Sequence, residues 1–458
     1  MRRFYRAAIG ASGMLVLIWA GVAQSQGENP PPPRSVDDVI AKILQDNPPT
    51  QPASAIVPAL KPKSKDAAQL PVVMSARIGD HSDRTRFVVE LSDPVDLRTF
   101  TLNNPNRVVI DMPAVQWHLD GPPRPTGHGA IRSYRYGLFR PGNSRFVIDL
   151  NQPVSISDAL VIPPAGGFGY RVVIDLFPTS QAKFDQTAGW PADLKAREAA
   201  AERLAALPSP DTSHASVAGT KKVIVIDPGH GGIDSGTSGV NGLLERDLVL
   251  DEGLRLARAL KRVPNFAVYM TRDTDVFIPL RERVNIGRGH HADLFVSLHA
   301  DSNPDSSVSG LSIYTLSESG SDKEAAALAR KENQSDVIAG VDLGGENSAV
   351  APILLDLEQR DTMNKSSRFA QLALNSLSGA TDILPRQPHR SAAFVVLKAP
   401  DVPSVLIELG YLSNSDDAVQ MNTARWRNGV ADAIAAAIER HFAPAASAAA
   451  PAAPPVSE

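Results

Sequence analysis

Val223–Gly236 reads V-I-V-I-D-P-G-H-G-G-I-D-S-G. Four β-branched apolar residues, Val223 to Ile226, predict a short buried strand. Asp227-Pro228-Gly229 ends it, because proline fixes φ and glycine tolerates positive φ. His230 is therefore presented at the carboxyl end of a strand, where open α/β sheets gather their ligands. The neighbouring glycines leave space beside the imidazole for a metal or a substrate. No Gly-Lys-Ser/Thr follows Gly229–Gly236, so the stretch is not a phosphate loop.

Outward from this point, residues 222–442 alternate short apolar runs with longer helical patterns, which predicts an α/β domain whose sheet is covered by helices. Expected strands are Val223–Ile226, Ala267–Met270, Leu294–Leu298, Gly310–Tyr314 and Ser404–Ile407. Expected helices are Leu248–Arg262, Leu280–Arg288, Asp322–Gln334, Ala351–Ser378 and Thr423–Arg440. Glu245 lies 15 residues after His230, ahead of the first helix, and His299 ends the strand in Asp293–Asp301. Two strand-end histidines with a carboxylate near the first have the composition of a catalytic zinc site, which keeps three protein ligands and one open position. Singly, each has a blander reading as a surface or capping residue. Glu408 ends another apolar strand, an expensive place for an acid unless chemistry or partners require it. Beside a metal-activated water it is placed as a general base and then as the acid for the leaving amine. Asp227 and Asp301 are candidates to orient an imidazole. His290, His291 and His389 read as solvated or locally bonded.

The first half has a different character. Met1–Ala23 joins Arg2, Arg3 and Arg6 to an apolar run and reads as an export signal (1–23). The residues leave the route, Sec or Tat, open. Proline-rich 24–70 reads as a disordered spacer, 179–221 as a linker and 443–458 as a disordered tail. No later stretch is long enough to span a bilayer. The 46 basic and 50 acidic residues give a net charge of −4, which argues against nucleic acid as a partner. The absence of cysteine excludes thiolate sites, leaving His, Asp and Glu for any metal. Between 71 and 178 one pattern recurs four times, Arg86–Leu91, Arg107–Met112, Arg145–Leu150 and Arg171–Leu176, each a β-branched run with a basic entry and an acidic exit. This predicts an N-terminal all-β sandwich built by duplication. Arg132, Tyr134, Tyr136 and Arg140 share one run and are candidates for sugar contact or ordinary strand packing.

That β segment resembles the AMIN domain, a peptidoglycan-binding targeting module. The resemblance is closer in the second half. I-D-P-G-H-G-G at 226–232, E-R-D-L at 245–248, S-L-H-A-D at 297–301 and L-K-A-P-D-V-P-S-V-L-I-E-L-G-Y-L-S-N at 397–414 resemble the zinc N-acetylmuramoyl-L-alanine amidases of the Amidase_3 type. The resemblance implies that His230, Glu245 and His299 hold Zn2+ and that Glu408 is catalytic. It also implies hydrolysis of the amide between N-acetylmuramic acid and L-alanine in peptidoglycan, in the periplasm, during cell division. Leu409 departs from the family's common threonine and changes a pocket wall rather than the chemistry. The insertion 317–364 resembles the regulatory segment of division amidases, in which a helix occludes the zinc until an activator of the inactive metallopeptidase type displaces it. Asp342 and Glu346 are the candidate blocking acids. Two other readings remain: a zinc carboxypeptidase on stem peptides, and a non-catalytic wall-binding scaffold.

Overall fold

A computed structural model describes residues 70–119, 128–196, 221–341 and 353–443. The expected leader, spacer and tail lie outside these residues. Ten strands precede the catalytic half: β1 (Val72–Asp80), β2 (Thr85–Leu91), β3 (Arg98–Leu102), β4 (Arg107–Pro113), β5 (Gln116–Trp117), β6 (Ile131–Arg140), β7 (Asn143–Leu150), β8 (Val154–Ile156), β9 (Leu160–Ile162) and β10 (Tyr170–Pro178). They form two sheets, one ordered β5-β1-β2-β10-β8 with β9 on β10, the other β3-β4-β7-β6. The repeated motif explains the pairing. Copies one and four lie antiparallel as β2 and β10, and copies two and three as β4 and β7. In register, the arginine of each copy faces the acid of its mate: Arg86 opposite Asp175, Arg171 opposite Glu90, Arg107 opposite Asp149 and Arg145 opposite Asp111. Strand alternation then sends Phe87, Val89, Val108, Ile110, Phe146, Ile148, Val172 and Ile174 into the sandwich core.

Tyr134 and Tyr136 point into that core as well. The Tyr134 ring lies 5.3 Å from Phe87 and the Tyr136 ring 4.8 Å from Trp117. Of the two readings of this run, packing holds for the tyrosines, and Arg132 donates to the Leu150 carbonyl.

A short helix, α1 (Gln181–Thr187), follows, capped by Ser180. The catalytic half then runs β11 (Lys222–Pro228), α2 (Glu245–Lys261), β12 (Phe266–Met270), α3 (Leu280–Gly289), β13 (Leu294–His299), β14 (Ser312–Leu316), α4 (Lys323–Glu332), α5 (Ser335–Ile338), α6 (Ile353–Leu377), β15 (His389–Ala392), β16 (Ser404–Glu408), α7 (Ser415–Met421) and α8 (Ala424–Phe442). The sheet order is β12-β11-β13-β16-β14-β15. Strands β12, β11, β13 and β16 are parallel, which brings the carboxyl ends of the last three to one rim. All six residues of β13 and all five of β16 are buried, as central parallel strands require. α2, α6 and α8 cover one face through Leu248, Leu256, Phe369, Leu377, Ile434 and Ile438. Truncating such a residue to alanine costs about 2–5 kcal/mol.

The β4-β7-β6 sheet buries its second face too. Phe100, Val109, Phe139 and Val147 meet Ile233 and Phe277 of the catalytic half and Ala339 and Val341 beyond α5 in one apolar cluster. At the closest approach a Cβ on Gly137 would lie 2.5 Å from the Gly232 carbonyl carbon, and one on Gly232 would collide with the Leu138 carbonyl oxygen.

Candidate metal centre

His230 follows β11, His299 ends β13, and Glu408 ends β16 directly opposite His299 in register. Glu245 is the first residue of α2. The backbone at His230 has φ 57°, an uncommon conformation for a residue with a side chain, and two arginines hold it there. Arg283 donates to the Pro228 and His230 carbonyls, and Arg272 to those of Pro228, Gly229 and Arg246. Gly229 is required beside them, because a Cβ there would run into the His299 ring.

The expected ligands converge. Glu245 Oε1 lies 3.1 Å from His230 Nε2 and 3.2 Å from His299 Nδ1. It also accepts from the Ala300 amide at 2.9 Å, while Oε2 accepts from the Thr237 amide at 2.8 Å. A fourth donor completes the group: Glu332 Oε2, from the last residue of α4, stands 3.3 Å from His230 Nε2 and 3.2 Å from His299 Nδ1. His230, His299 and Glu332 offer ligand atoms all within 4.8 Å of one another. Four donors around one ion at ~2.0–2.1 Å lie ~3.3–3.4 Å apart in a tetrahedron, so these separations fit zinc. Two imidazoles and carboxylates are also a donor set that zinc accepts. The remaining nitrogen of His230, Nδ1, bonds Asp234 at 2.9 Å.

Electrostatics point the same way. Burial pushes the His230 imidazole down, but Glu245, Asp234 and Glu332 outweigh it and hold it well above its ordinary range. His299, subject to the same burial, is raised to about 9 by Glu332 and Glu245. Glu332 is lowered to about 2, since His230 and His299 overcome the effect of its burial. The cause in each case is buried carboxylate charge facing the rings, which favours a positive charge between them. Glu408 differs: burial pushes it up to about 8, with His299 opposing. Its Oε2 accepts from the Asp301 amide at 3.0 Å, and its buried Oε1 has no hydrogen-bond partner.

Asp234, rather than Asp227 or Asp301, orients an imidazole. Asp227 accepts from Arg283, Thr271 and Ser297, and Asp301 pairs with Lys331 and Thr237. His290 stacks on Tyr269, and His389 bonds Thr315 and Gln371, so neither joins the cluster. Asp342 and Glu346 lie outside the described residues. Glu332 was not singled out in the sequence, where it ends a charged, helix-forming run indistinguishable from a solvated face. The structure buries it, along with the site it enters: His230 is 6% exposed, His299 5% and Glu332 5%.

Both halves of the chain match known proteins. Residues 224–440 match the family model described as N-acetylmuramoyl-L-alanine amidase, and residues 75–163 match the AMIN domain model. The chain is 35% identical to the N-acetylmuramoyl-L-alanine amidase AmiC of Escherichia coli O6:H1 over 388 residues, covering 82% of this chain and 90% of that one. It is 33% identical to AmiC of Neisseria meningitidis serogroup B, covering 81% and 90%. Against AmiA of Escherichia coli K12 it is 37% identical, covering 50% and 78%. Matching both models, and 35% identical to AmiC over most of either chain, the chain belongs to the N-acetylmuramoyl-L-alanine amidase family, with an AMIN domain ahead of the catalytic part.

Proposed function

We propose that this peptidoglycan amidase is a zinc enzyme whose resting form is blocked by its own Glu332. The observation that carries the reading is that Glu332 Oε2 lies within 3.3 Å of both imidazoles, where a catalytic site would keep a position open for water. His230, Glu245 and His299 hold the metal. Bound zinc supplies Lewis-acid polarisation of the amide carbonyl between the lactyl group and L-alanine, and a more acidic water. Glu408 takes that water's proton on its free Oε1 and delivers it to the departing alanine nitrogen. A carboxyl poised near neutral pH suits this two-way role.

The blocking segment carries a second contact, since Ser335 donates to Asp234, the residue that orients His230. Displacing the segment therefore frees both a ligand position and the carboxylate behind it. An envelope protein of the inactive metallopeptidase type is the activator this reading calls for. Residues 1–23 direct export to the periplasm, 71–178 target the wall, and 222–442 cleave it during division. Among the described residues no helix is long and apolar enough to cross a membrane.

The test is release of stem peptides from purified sacculi by the zinc-loaded full chain without any activator. Glu332→Gln should raise it well above the wild-type level. No gain in a folded, zinc-loaded variant overturns the blocked resting form. Release of single amino acids in place of stem peptides would favour a carboxypeptidase.

A further inference from the structure

We propose that the outer face of the β4-β7-β6 sheet is the docking surface for the inhibitory segment, and that the AMIN domain thereby holds the enzyme off. The inference rests on the blocking role of Glu332 and extends it to the other half of the chain.

α5 is a single turn whose Ser335, Asp336 and Val337 carbonyls accept from the Ala339, Val341 and Gly340 amides just beyond it. The sheet adds side-chain donors to the last of these carbonyls and to the three that follow. Arg107 Nη1 donates to the Val337 carbonyl at 2.5 Å and Arg135 Nε to that of Ile338 at 2.5 Å. Arg145 Nη1 donates to those of Ala339 and Gly340, both at 3.0 Å, and Trp190 Nε1 also reaches Gly340 at 3.2 Å. Four consecutive carbonyls are thus gripped by donors from outside the catalytic half. Each guanidinium is itself braced. Arg145 bonds Asp111 through two nitrogens, Arg135 bonds Asp149, and Arg107 bonds the Pro105 carbonyl. Ala339 and Val341 add apolar contact with Val109, Val147 and Phe139.

The grip is transmitted over a short distance. Ser335, two residues before Val337, is bonded to Asp234, and Asp336 accepts the Leu280 amide at the start of α3. Asn333 is fixed by the Ala393 carbonyl and the Val395 amide, both at 2.9 Å. Glu332 is the next residue. With 333 and 335–340 anchored, Glu332 leaves the imidazoles only if this whole run peels away, and the AMIN sheet supplies four of these nine bonds, with Trp190 a fifth from outside the catalytic half. Charged donors on backbone carbonyls are among the stronger hydrogen bonds, so their loss shifts a two-state equilibrium measurably.

The experiment uses the zinc-loaded full chain, sacculi as substrate and no activator, with amide exchange of residues 332–341 read in parallel. Arg107→Ala/Arg135→Ala should speed exchange of that segment and raise basal hydrolysis roughly tenfold. Placed on Glu332→Gln, the same pair should add nothing further. Faster exchange with unchanged hydrolysis, while Glu332→Gln alone is activated, overturns the coupling and leaves the blocking role standing. An inert Glu332→Gln overturns both. Should the double variant lose the β-sandwich, Trp190→Phe keeps the ring and removes one donor. It should give a smaller rise, and no rise overturns the proposal.

Discussion

Glu408 and His299 close neighbouring parallel strands and stand opposite each other in register. The pairing fixes the acid beside the two imidazoles, with its Oε2 on the Asp301 amide and its Oε1 left for a proton. Glu408→Gln should therefore retain zinc, measured by elemental analysis, while sacculus hydrolysis falls ~10²–10⁴-fold. Loss of zinc from this variant would make Glu408 a ligand instead.

Asp234→Ala removes the bond that fixes the His230 ring. Such outer partners are worth ~10–100-fold in metal affinity, so chelator competition should strip zinc from the variant at correspondingly lower chelator concentration. Affinity equal to wild type would assign the orientation of His230 to the loop alone.

Gly229→Ala places a methyl group in the His299 ring. Zinc content should fall with the sheet intact by circular dichroism, since the collision is at the rim and not in the core. Full occupancy would mean that the loop can move aside.

Glu252 lies on the buried face of α2, between Leu248 and Leu256, with neither oxygen hydrogen-bonded. Burial raises its carboxyl to about 8. The folded chain thus keeps a proton that the unfolded chain releases near an ordinary ~4.3, and stability drains away as pH rises from that value towards 8. Glu252→Gln should flatten this slope and raise Tm most at pH 8–9. An unchanged Tm there would indicate a carboxylate already neutralised by other means.

Legibility in the sequence followed the range of the forces involved. β11, β13 and β16 were visible as apolar runs, and their ends put His230, His299 and Glu408 on one rim because parallel neighbours share a direction. Glu245 was visible through its motif, although its first-turn position alone reads as a charge complementing the helix dipole. β15, His389-Arg-Ser-Ala392, was missed because nothing in it favours a strand except its parallel partner β14. Glu332 was missed for a related reason. Its helix reads as solvated, and only the tertiary return of α4 over the rim turns a surface acid into a group shared by two imidazoles. The duplicated Arg-and-acid strands were plain, but not that one pair's outer face would be covered: a strand apolar on both faces looks the same whether its cover comes from within the domain or from beyond it.

The meeting of Gly137 with Gly232 makes the joint between the two halves inheritable as a pair of letters. A relative bearing a side chain at both positions has no way to seat its sandwich against the histidine loop as this chain does. If the proposed restraint by the AMIN sheet holds, such a relative's basal hydrolysis should be indifferent to whether its AMIN domain is present at all.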